Sequence, residues 1–229
     1  MVKVLVLGHT GMLGHMVCKY LSWKGHRVER VEGRWPDDHF LTDIVNMDVD
    51  YVINCIAAIP QRTNDFVINY DLPIWLDKNL NCNVIHPGSD GELGNDYYGI
   101  SKLNASDYIR IEGKRTKIIK TSIIGPEIHN KVSLLEWFLN TNEQTVQGYN
   151  KFYWNGITTL QWSKICDSMI SDFESYDVLI SINMFAENIL LGYGYGTQVE
   201  KAIPYGKELL GLELYNMMPP SGSDGITMF

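Results

Sequence analysis

The chain has 229 residues, room for one domain with an added lobe, and 45% of them are hydrophobic, enough for a sizeable core. The formal net charge is −8 with no basic stripe, which argues against a nucleic-acid partner. No apolar stretch approaches the length of a membrane span. Cys18, Cys55, Cys82 and Cys166 are scattered without a C-x-x-C pair, so they read as buried thiols of a reduced cytoplasm and no metal site is expected.

Val2 to Leu7 is an apolar run with the look of a strand buried on both faces. Met1 leads straight into it, without the pattern of a signal peptide. Gly8-His9-Thr10-Gly11-Met12-Leu13-Gly14 follows without a gap. Three glycines three apart suit a tight turn, a close backbone approach to a pyrophosphate and close helix–strand packing. The helix N-terminus behind them offers unpaired N–H groups to phosphates. The spacing is not the G-x-G-x-x-G form, and an ordinary strand-to-helix turn can also carry it. The helix presents Met12, Leu13, Met16, Val17, Tyr20 and Leu21 on its buried side and ends at Gly25.

His26 to Val31 reads as a second strand, and Gly33 to Asn46 leaves room for only a short helix. Tyr51 to Ile56 is a third strand and Asn64 to Asn79 a helix; Asn83 to His86 is a fourth strand and Tyr98 to Glu112 a long helix. Lys117 to Ile124 reads as a fifth strand, ended by Gly125-Pro126. Val132 to Leu139 and Gln161 to Phe173 look helical, Val178 to Ile182 extended, Gly196 to Leu210 helical, and 219–229 a flexible tail. This alternation predicts an α/β fold, a Rossmann-like doubly wound parallel sheet with ligands at the carboxyl ends of its strands.

Tyr98 and Lys102 stand four apart at a helix start and share a face. Tyr20 and Lys24 have the same spacing but lie at the far end of the first helix, away from the carboxyl edge. A free phenol titrates near pH 10, so the Lys102 charge, with that of an oxidised nicotinamide, is expected to favour the phenolate. Tyr98 can then pass a proton to a carbonyl oxygen as hydride arrives at its carbon. Ser89 can hydrogen-bond that oxygen, or serve as a turn residue capping a backbone N–H. Glu32, at the end of the second strand, suits a ribose 2′-OH and hence NAD; Arg30 and Arg34 suit a 2′-phosphate and tilt the expectation to NADP(H). All three also read as solvated surface charges.

The glycine motif, Asn54-Cys55-Ile56-Ala57-Ala58 after the third strand, Asn69 in the next helix and the Tyr98/Lys102 pair together resemble the extended short-chain dehydrogenase/reductase superfamily. Within it, Val52-Ile53-Asn54-Cys55, Ser89-Asp90 and Asn155-Gly156-Ile157-Thr158-Thr159-Leu160 are similar to segments of dTDP-4-dehydrorhamnose reductases and related nucleotide-sugar reductases. The resemblance covers residues 1 to about 170 and implies one NAD(P)-binding domain over 1–229, with a small C-terminal substrate lobe mainly in 126–165 and 183–215. It implies Gly8, Thr10, Gly11, Met12, Leu13 and Gly14 along the cofactor, Cys55, Ala57 and Ala58 near its adenosine and ribose, and Thr121 beside the nicotinamide. Tyr98, Lys102 and Ser89 are the implied catalytic set, and Ser89, Asp90, Trp137, Trp154 and Asn155 the implied nucleotide-sugar contacts. For the two tryptophans, core packing is the stronger expectation. The Tyr98 helix is a candidate homodimer face. Three features depart from the family: only eight residues separate Ser89 from Tyr98, the link between the second and third strands is short, and the chain is short for an extended member, so a reduced substrate lobe is expected.

Overall fold

The computed structural model describes residues 1–129, 131–142 and 156–181. Six strands form one parallel sheet: β1 (Lys3–Leu7), β2 (Arg27–Arg30), β3 (Tyr51–Asn54), β4 (Asn83–Gly88), β5 (Thr116–Lys120) and β8 (Leu179–Ser181). The helices between them are α1 (Met12–Trp23), α2 (Asp38–Asn46), α3 (Ile68–Asn79), α4 (Tyr97–Glu112), α5 (Leu134–Asn140) and α6 (Thr159–Ser171). The strand order is β2-β1-β3-β4-β5-β8. The chain steps outward from β1 to β2, then returns to lay β3 on the other side of β1. That reversal makes the gap between the carboxyl ends of β1 and β3 the switch point, where such sheets take ligands.

The pleat sorts the strand side chains between two cores. Val4, Val6, Ile53, Ile85 and Ile119 pack with α1 and α6 through Leu13, Val17, Leu21, Trp162, Cys166 and Met169. Leu5, Leu7, Val52 and Val84 face the other way, onto Phe40 and Ile44 of α2 and Leu72 and Leu76 of α3. Within α1 the buried set is Leu13, Gly14, Val17, Cys18 and Leu21, whereas Met12, Met16 and Tyr20 are half-buried, so the buried stripe runs narrower than the sequence suggests. Each fully buried aliphatic side chain contributes roughly 1.5–3 kcal/mol, so this double layer holds the sheet rigid beneath the site.

The expected single strand over Lys117 to Ile124 is two. β5 ends at Lys120, and Thr121 and Ser122 leave the ladder. β6 (Ile123–Ile124) pairs instead with β7 (Ile157–Thr158) in a small parallel sheet, after the Ile157 N–H donates to the Ser122 carbonyl at 2.9 Å. Thr158 closes β7 and caps α6 by accepting from the Gln161 N–H, and α6 packs on α1. The helix expected at 196–210, the lobe over 183–215 and the tail over 219–229 lie outside the described residues. Among the described residues no helix is long and apolar enough to cross a membrane.

Candidate active site

The first turn of the site is built by glycine. Gly8 adopts φ +70°, and a Cβ there would meet the Cys55 carbonyl at 3.0 Å. The Gly11 N–H donates to the Gly8 carbonyl at 2.9 Å, closing the turn. A Cβ on Gly14 would fall 2.1 Å from that carbonyl oxygen, so α1 can sit this close to the turn only without a side chain there. Gly11 lacks such a constraint, since its Cβ would meet only the Gly8 oxygen at 3.3 Å. α1 has no side-chain cap and no acidic residue in its first turn. Its leading N–H groups, those of Met12 and Leu13 among them, are therefore left for a ligand, with Thr10 exposed beside them.

The wall at the end of β3 is held by buried asparagines. The Asn54 oxygen accepts from the Ile56 N–H at 3.1 Å, and its Nδ2 lies 3.1 Å from Nδ1 of His86. Burial and the neighbouring Lys102 charge push His86 well below its usual range, so it is a neutral acceptor for Asn54. Asn69 is buried. Its oxygen accepts from the Ala58 N–H at 2.8 Å, and its Nδ2 donates to the Ala58 carbonyl and to the Ser101 hydroxyl on α4. Asn69 thus fixes Ala57 and Ala58 against the Tyr98 helix. Burial raises the Cys55 thiol far above its ordinary range, which leaves it a packing group.

The third component follows β4. Ser89 caps a one-turn 3-10 helix (Asp90–Leu93), its Oγ accepting from the Gly91 N–H at 3.1 Å. The same Oγ is 3.5 Å from the Tyr98 hydroxyl, a long contact of the kind that tightens on binding. The capping reading of Ser89 therefore holds, and the same hydroxyl stands beside Tyr98. The eight-residue link works because its glycines nest: a Cβ on Gly99 would lie 2.3 Å from the Gly91 oxygen. Asp96 caps α4 through the Gly99 N–H, and the Phe66 ring meets Tyr98 edge-on at 5.8 Å. Asp90 accepts a hydrogen bond from the Ser122 hydroxyl.

The electrostatics correct one expectation. The Lys102 ammonium is buried and donates to the Pro87 carbonyl at 2.9 Å. Burial lowers Lys102 to about 8, with Glu92 pulling the other way. Tyr98 is raised, not lowered: burial dominates, Asp90, Glu92 and Asp96 add to it, and the Ser89 hydrogen bond opposes it. Burial and these carboxylates keep the phenol protonated.

The remaining candidates divide. Thr121 is buried at the β5–β6 break, donating to the Ser122 carbonyl at 3.0 Å. Arg30, Glu32 and Arg34 are exposed, and Glu32 lies 3.4 Å from the His9 ring. Trp137 is half exposed on α5, and Trp154 and Asn155 lie outside the described residues. Sequence reasoning left Glu92 unplaced and missed Phe66. The S-x-x-E pattern of Ser89 and Glu92 is a capping-box signal that would have placed the first; nothing local marks Phe66.

No family model matches the chain, and a search of curated proteins finds no match. Solved structures do match. A dTDP-4-dehydrorhamnose reductase of Bacillus anthracis, solved with NADP, aligns at TM-score 0.65 and 12% identity over 90% of this chain and 82% of its own. A dTDP-4-dehydrorhamnose reductase of Clostridium acetobutylicum aligns at 0.60 and 16% over 79% and 74%. A UDP-N-acetylglucosamine 4-epimerase of Bacillus cereus aligns at 0.59 and 18% over 80% and 78%. The fold is theirs. At these identities the likeness extends to the strand order and the helix layers, and the chemistry has to be argued from the side chains.

Proposed function

We propose that the chain is an NAD(P)H-dependent reductase of a 4-keto-6-deoxy nucleotide sugar, in the extended short-chain dehydrogenase/reductase superfamily. One observation carries the reading: a phenol held protonated beside a serine hydroxyl, on the rim where an uncapped helix N-terminus offers amides for a dinucleotide. The cradle fits that group, because the Gly8 to Gly14 turn feeds a helix with neither a side-chain cap nor an acid in its first turn. The solved relatives described as reductases or as binding NADP support the same reading.

When bound, a reduced nicotinamide would be the hydride source for the sugar ketone carbon. Tyr98 gives its proton to the ketone oxygen, and Ser89 hydrogen-bonds that oxygen and orients it. Lys102 stands on the same helix face, close enough to leave the Pro87 carbonyl for a ribose hydroxyl and to stabilise the phenolate left behind. Gly8, Thr10, Gly11, Met12, Leu13 and Gly14 hold the dinucleotide, with Ala57 and Ala58 leaving room at its adenosine end. Arg30 and Arg34 flank Glu32 at the end of β2 and favour NADP(H) over NAD(H).

Oxidation of NADPH on addition of a dTDP-4-keto-6-deoxy sugar tests the reading. One NADPH consumed per sugar is expected, with Tyr98→Phe nearly inert. Wild type and Tyr98→Phe equally inert across keto-sugar nucleotides would instead indicate a dinucleotide-binding subunit. Asp90 supports a second reading, an epimerase or dehydratase, because it sets a carboxylate beside the phenol. Turnover of the sugar without net NADPH consumption would select that one.

A further inference from the structure

A link of eight residues between Ser89 and Tyr98 needs an anchor, because a turn this short has no core of its own. Glu92 is the anchor. Its side chain is 0% exposed, and Oε1 accepts from the Ser89 N–H and from the Ser106 hydroxyl of α4, each at 2.9 Å. Nζ of Lys120, at the end of β5, sits 2.8 Å from Oε2, off the line of a good hydrogen bond and therefore chiefly a charge partner. The carboxylate also fills the space beside Gly88, where a Cβ would meet it at 3.1 Å. One side chain thus joins the end of β4, the middle of α4 and the end of β5, directly under the candidate proton donor. The fold alone does not call for charge here, since a buried ion pair replaced by groups of similar volume often leaves a protein as stable or more so.

We propose that Glu92 is a positioning residue: clamped by Lys120 and Ser106, it locks the Ser89 hydroxyl against the Tyr98 phenol and places a carboxylate beside it. The inference rests on the reading of Tyr98 as the proton donor. The groups facing that phenol are Ser89 at the end of β4, Asp90 and Glu92 from the turn, Asp96 at the start of α4, Phe66 from the loop before α3, and Lys102 one turn along, directed at the Pro87 carbonyl. Glu92 acts on both titrating partners in the same sense, raising Tyr98 and raising Lys102. Asp90 and Asp96 are more exposed and stay in place when Glu92 is changed, which isolates its share.

The test uses the full chain without cofactor or substrate. Tyrosine is carbon-13 labelled at Cζ, and the Tyr98 resonance is assigned by its loss in Tyr98→Phe. The double variant Glu92→Gln with Lys120→Met keeps volume and the Oε1 acceptor while removing both charges. Measured against Lys120→Met alone, Tyr98 in it is expected to titrate lower, about a threefold change in its ionisation constant. Glu92→Ala with Lys120→Met also removes the acceptor, and exchange of the Ser89 amide is expected to quicken about tenfold. A folded Gln double variant with an unmoved Tyr98 overturns the proposal. So does a Gln double variant that fails to fold, since the pair then serves the fold alone. Failure of the reductase reading shows separately, as no NADPH oxidation by wild type whatever Tyr98 does in this titration.

Discussion

Two turns at the carboxyl rim use the same device to opposite ends. In the turn after β1, Gly14 lets α1 close onto the Gly8 carbonyl; in the turn after β4, Gly99 lets α4 close onto the Gly91 carbonyl. The first helix then opens without a cap or an acid. The second opens behind Ser89, Glu92 and Asp96, which take up the free amides themselves. The lesson is that the sterics of a tight strand–helix turn do not set its chemistry. Amides left free make a place for an anion, whereas amides already satisfied by side chains hold those side chains still for proton transfer.

The comparison breaks most sharply at the phenol. Tyr98→Phe is expected to lower kcat by about a thousandfold while NADPH affinity stays within a factor of two, since general acid catalysis contributes on the order of 10²–10⁴. Equal losses in turnover and cofactor binding would show that the second turn also binds the dinucleotide. Gly14→Ala and Gly99→Ala sharpen the contrast. Each forces a Cβ into a carbonyl oxygen, at 2.1 and 2.3 Å, and each should cost about 2–3 kcal/mol in urea unfolding. Gly14→Ala should weaken NADPH binding and Gly99→Ala should spare it, as read by fluorescence titration.

Lys102 carries the pH dependence of the second turn. Its folded value of about 8 lies below the ordinary 10.5, so between these values the unfolded chain binds more protons and stability rises with pH. The burden of burying the charge is therefore fully present below about pH 8. Lys102→Met should stabilise the protein by about 3 kcal/mol at pH 7, with the excess vanishing by about pH 10.5. A constant difference across that range, in parallel urea titrations, would contradict it. The smallest effect belongs to the first turn: Thr10→Asp adds an acid beside α1 and should weaken NADPH by about two- to fivefold, more at low salt, and leave the Tyr98 titration unmoved.

Much of this architecture was legible in the residues. The apolar runs around Val4, Val52, Val84 and Ile118 and the helical spacing between them yield the strand and helix alternation, and the Gly8, Gly11 and Gly14 turn follows from local sterics. Tyr98 and Lys102 were legible as a pair on one face. Their electrostatics were not, because the sign of the Tyr98 shift depends on Phe66, Asp90 and Glu92 surrounding the ring and on Lys102 turning to Pro87. The break of the fifth strand was hidden for a similar reason: Ile123 and Ile124 have strand character, but their partner is Ile157–Thr158, far along the chain.

By itself the sequence determined the alternation of strands and helices up to the break after Lys120, where the glycine turn lies, and which phenol and ammonium share a helix face. These depend on periodicity and backbone sterics within a few residues. Only the tertiary structure decided the strand order that opens the rim between β1 and β3, the burial of Asn69 against Ala58 and Ser101, and the clamp of Glu92 by Lys120 and Ser106. The physical reason is that a buried polar group must find its partner wherever packing brings one, and no local pattern records that choice.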